Sequence, residues 1–207
     1  MSVTLDVYPL HKKLPALQEV LVLATEKSTR YLRDKRISGD VKIDFALLSK
    51  SDDSPLSVDD SGPATWPEES YAWFTVNSMR GGIDAYHWSL SDDERAAYRD
   101  EILAADLPAS RRNLVRECFE VGCKWHLRMS ASQLYATGLV FGFLASAFAS
   151  LTNGIIFSSD GGWKGRIFPA TAEEFDRCYY RPETIGSNDS PWDGVDHYAR
   201  NLAYELA

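Results

Sequence analysis

A continuous apolar stretch lies at residues 134–151 and reads LYATGLVFGFLASAFASL. It belongs to a longer interval, between Arg128 and Asp160, that carries no charged side chain. A helix that is apolar on every side is either buried inside a protein or inserted in a membrane. Gly138 and Gly142 have the four-residue spacing that lets a neighbouring element approach such a helix closely.

The flanks of this stretch favour burial inside a protein. Ser130 and Gln133 are spaced as a capping box, and Asn153-Gly154 is typical of the end of a helix in a soluble protein. Threonine, serine and glycine lower its hydrophobicity, and a single span here would divide a small chain into two halves. We therefore predict a central core helix and no insertion in a membrane.

Shorter patterns on either side of this helix predict further secondary structure. Alternating and β-branched runs predict strands over residues 3–7, 41–48, 71–76, 83–88 and 155–157. Helical spacing and capping residues predict helices over residues 14–34, 91–105, 171–180 and 195–202. The range 113–129 fits both a helix and a strand, and the alternation in its second half favours a strand there.

These elements together predict an α+β fold. We expect a mixed or antiparallel sheet packed against the central apolar helix and several amphipathic helices. A chain of 207 residues is long enough to bury a core without metals or disulfides. We predict a single domain over residues 1–207, with a subdivision near 110–130 as the alternative.

The overall composition narrows the class of protein. With 44% hydrophobic and 25% charged residues, the chain matches soluble globular domains and excludes collagen, low-complexity disorder and a multi-span membrane protein. Its first residues lack the basic and apolar regions of a signal peptide, so we expect a cytoplasmic protein. The three cysteines are too few for a disulfide scaffold. No pattern in the chain indicates a cofactor.

The negative charge is concentrated in one part of the chain. Residues 51–110 carry 13 acidic and three basic side chains, a net charge of −10 against −8 for the whole chain. The capping box at Ser91 and Glu94 assigns part of this charge to the start of a helix. The remainder lies chiefly in a polar loop from Asp52 to Glu69, where it would repel nucleic acid and attract a basic protein.

Three tryptophans fall within this acidic segment. Trp73 and Trp88 lie in predicted strands, where we expect them in the core. Trp66, between Thr65 and Pro67 in the loop, is the better candidate for an exposed aromatic anchor. The predicted partner-binding residues are therefore Asp59, Asp60, Trp66, Glu68 and Glu69.

One set of residues in the sequence is a candidate for catalysis. Asp160 together with Glu173 or Glu174 would supply a carboxylate pair for acid–base chemistry, although a turn and a helix cap explain these residues as well. The four histidines show no metal-ligand spacing, so we predict no metal site. We predict a protein without enzymatic activity, and a small hydrolase using carboxylates near Asp160 is the alternative.

A resemblance to a known family begins at the central helix. Residues 151–163 read LTNGIIFSSDGGW, residues 168–175 read FPATAEEF, and residues 179–183 read YYRPE. This region resembles the C-terminal half of immunity proteins from bacterial polymorphic-toxin and type VI secretion systems, in particular the group paired with restriction-endonuclease-like nuclease toxins. It covers about a quarter of the chain. Its strongest piece is the motif Asp160, Gly161, Gly162 and Trp163, which we interpret as structural.

The resemblance implies a function that agrees with the charge distribution. It implies a mixed α+β protein that is not an enzyme and that binds one toxin tightly. It does not identify the residues that contact the toxin. We therefore expect an immunity protein that covers the active site of a cognate toxin with a basic surface, and no binding to nucleic acid or membrane.

Overall fold

The apolar stretch forms one helix, α4 (Tyr135–Thr152), in the computed structural model, which describes residues 2–130, 132–158, 167–179 and 195–207. Within these ranges α4 is the helix long and apolar enough to cross a membrane, and 83% of it is buried inside the fold. Burial of this extent is that of the core helix of a soluble protein. The prediction of a central apolar helix is confirmed.

The described strands form one antiparallel sheet. The eight strands are β1 (Ser2–Tyr8), β2 (Ile43–Ser49), β3 (Pro55–Leu56), β4 (Ser70–Val76), β5 (Ile83–Ser89), β6 (Cys123–Ser130), β7 (Ile155–Phe157) and β8 (Ala170–Thr171). They are arranged in the order β3-β2-β4-β5-β6-β1-β7-β8, and every pair of neighbours is antiparallel. The first strand therefore lies inside the sheet, between β6 and β7.

Five further helices complete the described α+β fold, which confirms the predicted fold class. They are α1 (Leu17–Asp34), α2 (Asp92–Leu103), α3 (Ala109–Phe119), α5 (Ala172–Cys178) and α6 (Val195–Glu205). The ambiguous range 113–129 divides between a helix, α3, and a strand, β6. The capping boxes at the starts of α2 and α5 form as predicted, with Ser91 and Thr171 as the N-caps.

The two faces of the sheet are covered differently. One face packs against α4, which also contacts α1, α5 and α6, and side chains such as Leu5, Phe74 and Leu127 are fully buried there. On the opposite face, α2 and α3 cover the end near β1 and β7 with a smaller apolar cluster around Tyr8 and Phe119. Most outward side chains of β4, β5 and β6 remain partly exposed, whereas Asp84 and Lys124 are buried.

The start of α4 differs from the prediction. Ser130 does not cap this helix, because β6 continues to that residue; the N-cap is Leu134, whose side chain makes no capping hydrogen bond. The carboxylate of Glu205 in α6 instead accepts hydrogen bonds from the backbone N–H groups of Tyr135 and Ala136, at 3.0 and 2.8 Å. An anion at this position satisfies two otherwise unpaired donors and complements the helix dipole.

A close contact joins α4 to α5 at Gly142. The Tyr179 hydroxyl accepts a hydrogen bond from the backbone N–H of Gly142 at 3.1 Å and donates one to the carbonyl of Gly138. A Cβ atom on Gly142 would lie 2.1 Å from the Tyr179 ring. Gly142 therefore leaves room for a buried tyrosine at the C-terminal end of α5, and Gly138 accepts its hydrogen bond through the backbone carbonyl.

We expect Gly142→Ala to lower the free energy of unfolding by about 1–3 kcal/mol, because the added methyl group displaces the Tyr179 ring and its hydrogen bonds. The intrinsic helix propensities of alanine and glycine would change stability in the opposite direction by about 1 kcal/mol. Urea unfolding followed by circular dichroism measures the difference. In a Tyr179→Leu background the cost of Gly142→Ala should shrink, and an equal cost in both backgrounds would contradict this account.

Candidate protein-binding surface

The acidic segment forms a loop over residues 50–69, here called the acidic loop, which connects β2 to β4. The backbone N–H of Lys50 donates to the carbonyl of Glu69 at 2.8 Å, so the two ends of the loop lie together. The short strand β3 within it pairs with β2 at the edge of the sheet. Most of its side chains are exposed, including the predicted carboxylates Asp59, Asp60, Glu68 and Glu69.

Hydrogen bonds fix the second half of the acidic loop to the core. The backbone carbonyls of Asp60 and Gly62 accept from Gln18 and Leu17, the first N–H groups of α1, at 3.0 and 3.1 Å. The buried indole of Trp125 donates to the carbonyl of Ala64 at 2.7 Å. These bonds satisfy donors that would otherwise be unpaired at the start of α1 and in the core. The loop is therefore a constrained part of the fold.

The expectation that Trp66 is exposed is wrong. Its side chain is 6% exposed and belongs to the main apolar core, where its ring meets the edge of His87 with the ring centroids 6.4 Å apart. An indole buries so much apolar area that it packs inward when its loop is held against the core. The exposed apolar side chains of the acidic loop are Leu56 and Val58, at 41% and 42%.

One of the predicted carboxylates also shapes the acidic loop. The Asp59 carboxylate accepts hydrogen bonds from the Ser61 hydroxyl and from its backbone N–H, which together lower the pKa of Asp59. Ser54 does the same for Asp52 and lowers the pKa of that carboxyl. Both side chains are fully charged at neutral pH, because their pKa values lie below the ordinary aspartate value. The acidic loop thus presents fixed negative charge at its surface.

A second surface feature, not predicted from the sequence, lies on the sheet beside the acidic loop. The outward side chains of β4, β5 and β6 form a row of aromatic and basic groups, here called the open face: Tyr71, Trp73, Tyr86, Trp88, His126 and Arg128. Trp73 and Trp88 are half-buried on this face, so the expectation that they lie in the core is wrong. The alternation of Lys124, His126 and Arg128 with apolar neighbours is the sequence signal from which this face could have been predicted.

A charged network crosses the open face beside β1. The carboxylate of Asp6 contacts His126 Nδ1 at 2.7 Å and accepts from Lys124 Nζ at 2.9 Å. Burial alone would raise the pKa of Asp6, but the His126 hydrogen bond and the charge of Lys124 outweigh it and lower this pKa. The Lys124 side chain is 2% exposed, with its ammonium group 3.9 Å from the Tyr98 ring centroid and 4.8 Å from that of Trp88.

The structure gives no support for acid–base chemistry by Glu173 or Glu174. Glu174 caps α5 and pairs with Arg111; burial raises its pKa, but these contacts outweigh burial and lower it. Glu173 is exposed. The motif Asp160, Gly161, Gly162 and Trp163 lies outside the described residues.

Two thiols and one hydroxyl of the described structure lie in environments that restrict their reactivity. Burial raises the pKa of Cys118 to about 12 and that of Cys123 to about 11, so both are protonated thiols at neutral pH. The Ser146 hydroxyl is fully buried between Lys27 and Asp176, where it ties α4 to α1 and α5. Among the described residues, no group of three histidine, cysteine, aspartate or glutamate side chains could hold a metal ion.

Comparisons with protein-family models, curated proteins and solved structures find no match to this chain.

Because Trp66 is buried, we expect Trp66→Ala to lower the free energy of unfolding by about 3–5 kcal/mol. An exposed anchor would cost well under 1 kcal/mol when truncated. Urea unfolding measures the difference. Leu56→Ala in the same loop is the control, and a Trp66→Ala variant as stable as that control would contradict the packing described above.

The burial of His87 makes stability depend on pH. Its Nε2 atom is buried without a hydrogen-bond partner in the described structure, and burial lowers the pKa of His87 below its ordinary 6.5. The unfolded chain therefore binds a proton at a higher pH than the folded chain does. We expect the stabilisation from neutral His87 to be complete above pH 6.5 and to diminish as the pH falls through that value.

Unfolding in urea between pH 5.5 and 7.5 tests this expectation on the wild type and His87→Phe. The free-energy difference between the two proteins should change across this range, because only the wild type protonates at position 87. His11→Gln, which removes an exposed histidine, should not reproduce this change. A pH-independent difference between wild type and His87→Phe would contradict the prediction.

Proposed function

We propose that this protein is a cytoplasmic immunity protein that binds a cognate antibacterial toxin, a nuclease-type effector, and neutralises it by covering its active site. The observation that carries the proposal is the acidic loop. It combines exposed carboxylates with the exposed apolar side chains of Leu56 and Val58, and hydrogen bonds to α1 and Trp125 constrain it. The family resemblance of residues 133–183 points to the same function.

The chemistry of a nuclease explains why this surface suits it. A nuclease binds phosphate groups and therefore carries basic side chains around its active site. An acidic surface accelerates encounter with such a partner, and apolar side chains at its centre exclude water from the complex. A loop that is already ordered before binding loses little conformational entropy in the complex, which favours high affinity.

A small hydrolase is the second candidate, and the contact between Asp6 and His126 is the observation in its favour. An aspartate that orients a histidine is one part of a hydrolytic triad. Such a triad also needs a nucleophile on the other imidazole nitrogen. The high pKa values of Cys118 and Cys123 and the burial of Ser146 make these three side chains unsuitable for that role.

Co-expression tests the main proposal. The product of the neighbouring gene is expressed in a sensitive bacterium with and without this protein, and survival is counted. We expect growth to be restored only when both are present. Failure of the wild-type protein to relieve toxicity would overturn the proposal.

We also expect charge reversal in the acidic loop to weaken binding. The test variant replaces Asp59, Asp60, Glu68 and Glu69 with lysine. We expect the association rate constant to fall at least tenfold at low salt and the salt dependence of binding to decrease, because steering by opposite charge is lost. Surface plasmon resonance with the inactivated toxin measures both quantities.

The control has the same net charge but keeps the acidic loop intact. It replaces four exposed carboxylates on or next to α2 and α3 with lysine: Asp100, Glu101, Glu117 and Glu120. This variant should bind with nearly the wild-type rate constant. Unchanged binding of the loop variant at low salt, or an equal loss in both variants, would remove the acidic loop from the interface.

A further inference from the structure

We propose that the open face is a second contact surface, which receives arginine and lysine side chains of the same basic partner on its aromatic rings. This inference rests on the proposed function, because it assumes that the partner is a basic protein. It extends the interface from the acidic loop across β4 and β5 to β6. Three observations support it: continuity with the loop, ring geometry, and cations already held by these rings.

The open face is continuous with the acidic loop. The hydroxyl of Tyr71 on β4 donates to the carboxylate of Asp53 in the loop at 2.7 Å. The Tyr71 and Tyr86 ring centroids lie 6.0 Å apart, and the next step to Trp88 is also 6.0 Å. Trp88 stacks on His126 at 4.7 Å with an interplanar angle of 11°. One row of rings therefore leads from the carboxylates to the middle of the sheet.

These rings already hold cations from this chain. The Lys50 ammonium group lies 5.0 Å from the centroid of the Tyr86 ring, and the Lys124 ammonium group lies 4.8 Å from that of Trp88. Both distances are within the range of cation–π attraction. Lys124 is nearly buried and belongs to the fold, whereas Lys50 is exposed. An arginine from a partner can therefore replace Lys50 on Tyr86, and its planar guanidinium would stack there over a larger area.

The charged side chains of the open face are paired, Lys124 with Asp6 and Arg128 with Asp84, so they do not exclude a basic occupant. Arg128 is paired with Asp84, whose carboxylate accepts from its Nε atom at 2.7 Å, so this pair adds no net charge. Asp53 stands at the end of the row next to Tyr71. The hydroxyls of Tyr71 and Tyr86 stay neutral, because burial raises the pKa of both. The open face thus offers electron-rich rings with the carboxylate of Asp53 at the loop end of the row.

The alternative to a contact surface is a solvent-exposed sheet face without a binding role. Antiparallel sheets often expose one face, and neighbouring aromatic side chains on it stabilise the strands by cross-strand contact. In that case removal of the rings would change stability and leave binding unaffected. The two explanations therefore differ in a measurable way.

A peptide of eight arginines tests the inference without knowledge of the toxin. Its affinity is measured by fluorescence polarisation for the wild type and for Tyr71→Leu/Tyr86→Leu, which removes two rings that lie away from Lys124. We expect the double variant to bind at least fivefold more weakly, in line with the loss of two cation–π contacts. Tyr204→Leu removes a tyrosine that is 86% exposed on α6 and should bind as the wild type does.

Equal affinity of the wild type and the double variant for the arginine peptide would overturn the inference. Circular dichroism and urea unfolding verify that the double variant is folded. An octalysine peptide should bind more weakly than octa-arginine to the wild type, and this preference should disappear in the double variant. A loss of affinity without such a preference would show a general effect on the fold and would also overturn the inference.

The inactivated toxin provides the second measurement. Here we expect Tyr71→Leu/Tyr86→Leu to raise the dissociation rate constant at least tenfold while the salt dependence of association is kept, because the acidic loop remains intact. Toxin that binds both proteins with the same dissociation rate would overturn the inference and leave the proposed function in place. Toxin that fails to bind the wild type would overturn the proposed function, and the peptide measurement then decides the inference alone.

Discussion

The helix α4 has no polar side to turn to water, and this constraint organises the rest of the fold. Each side of it must be covered, so the sheet packs against one side while α1, α5 and α6 enclose the others. The polar Ser146 on α4 is paired within this cover, with Lys27 and Asp176. Because one face of the sheet is buried against α4, the strands can present side chains to a partner only on the other face.

Much of this architecture could be predicted from short-range patterns. The alternation in β1, β4 and β5 and the capping boxes of α2 and α5 are local signals, since the residues involved are within a few positions of each other. The cap of α4 could not be predicted in this way. Its carboxylate, Glu205, lies 70 residues after Tyr135 along the chain, so only the three-dimensional packing brings them together.

The candidate surface could be predicted only where its signals are local in the sequence. Counting charges locates the acidic loop, because exposed carboxylates need no partner to be recognised. The prediction that Trp66 is exposed was wrong. A residue between Thr65 and Pro67 has the sequence context of an exposed loop, and the hydrogen bond from the distant Trp125 that fixes this loop to the core is not visible in the sequence. Similarly, the alternation in β6 predicted a strand, yet the partners of its basic side chains, Asp6 and Asp84, come from strands far away in the sequence.

The Glu205 carboxylate has a consequence for the order of events during synthesis. Proteins are made from the N-terminus, so α4 leaves the ribosome long before the last turn of α6, which carries its cap. Until then the most apolar helix of the chain has neither its electrostatic cap nor the cover of α6. The native core is therefore closed by a segment that is synthesised well after α4, and the apolar helix is exposed to aggregation until that segment emerges.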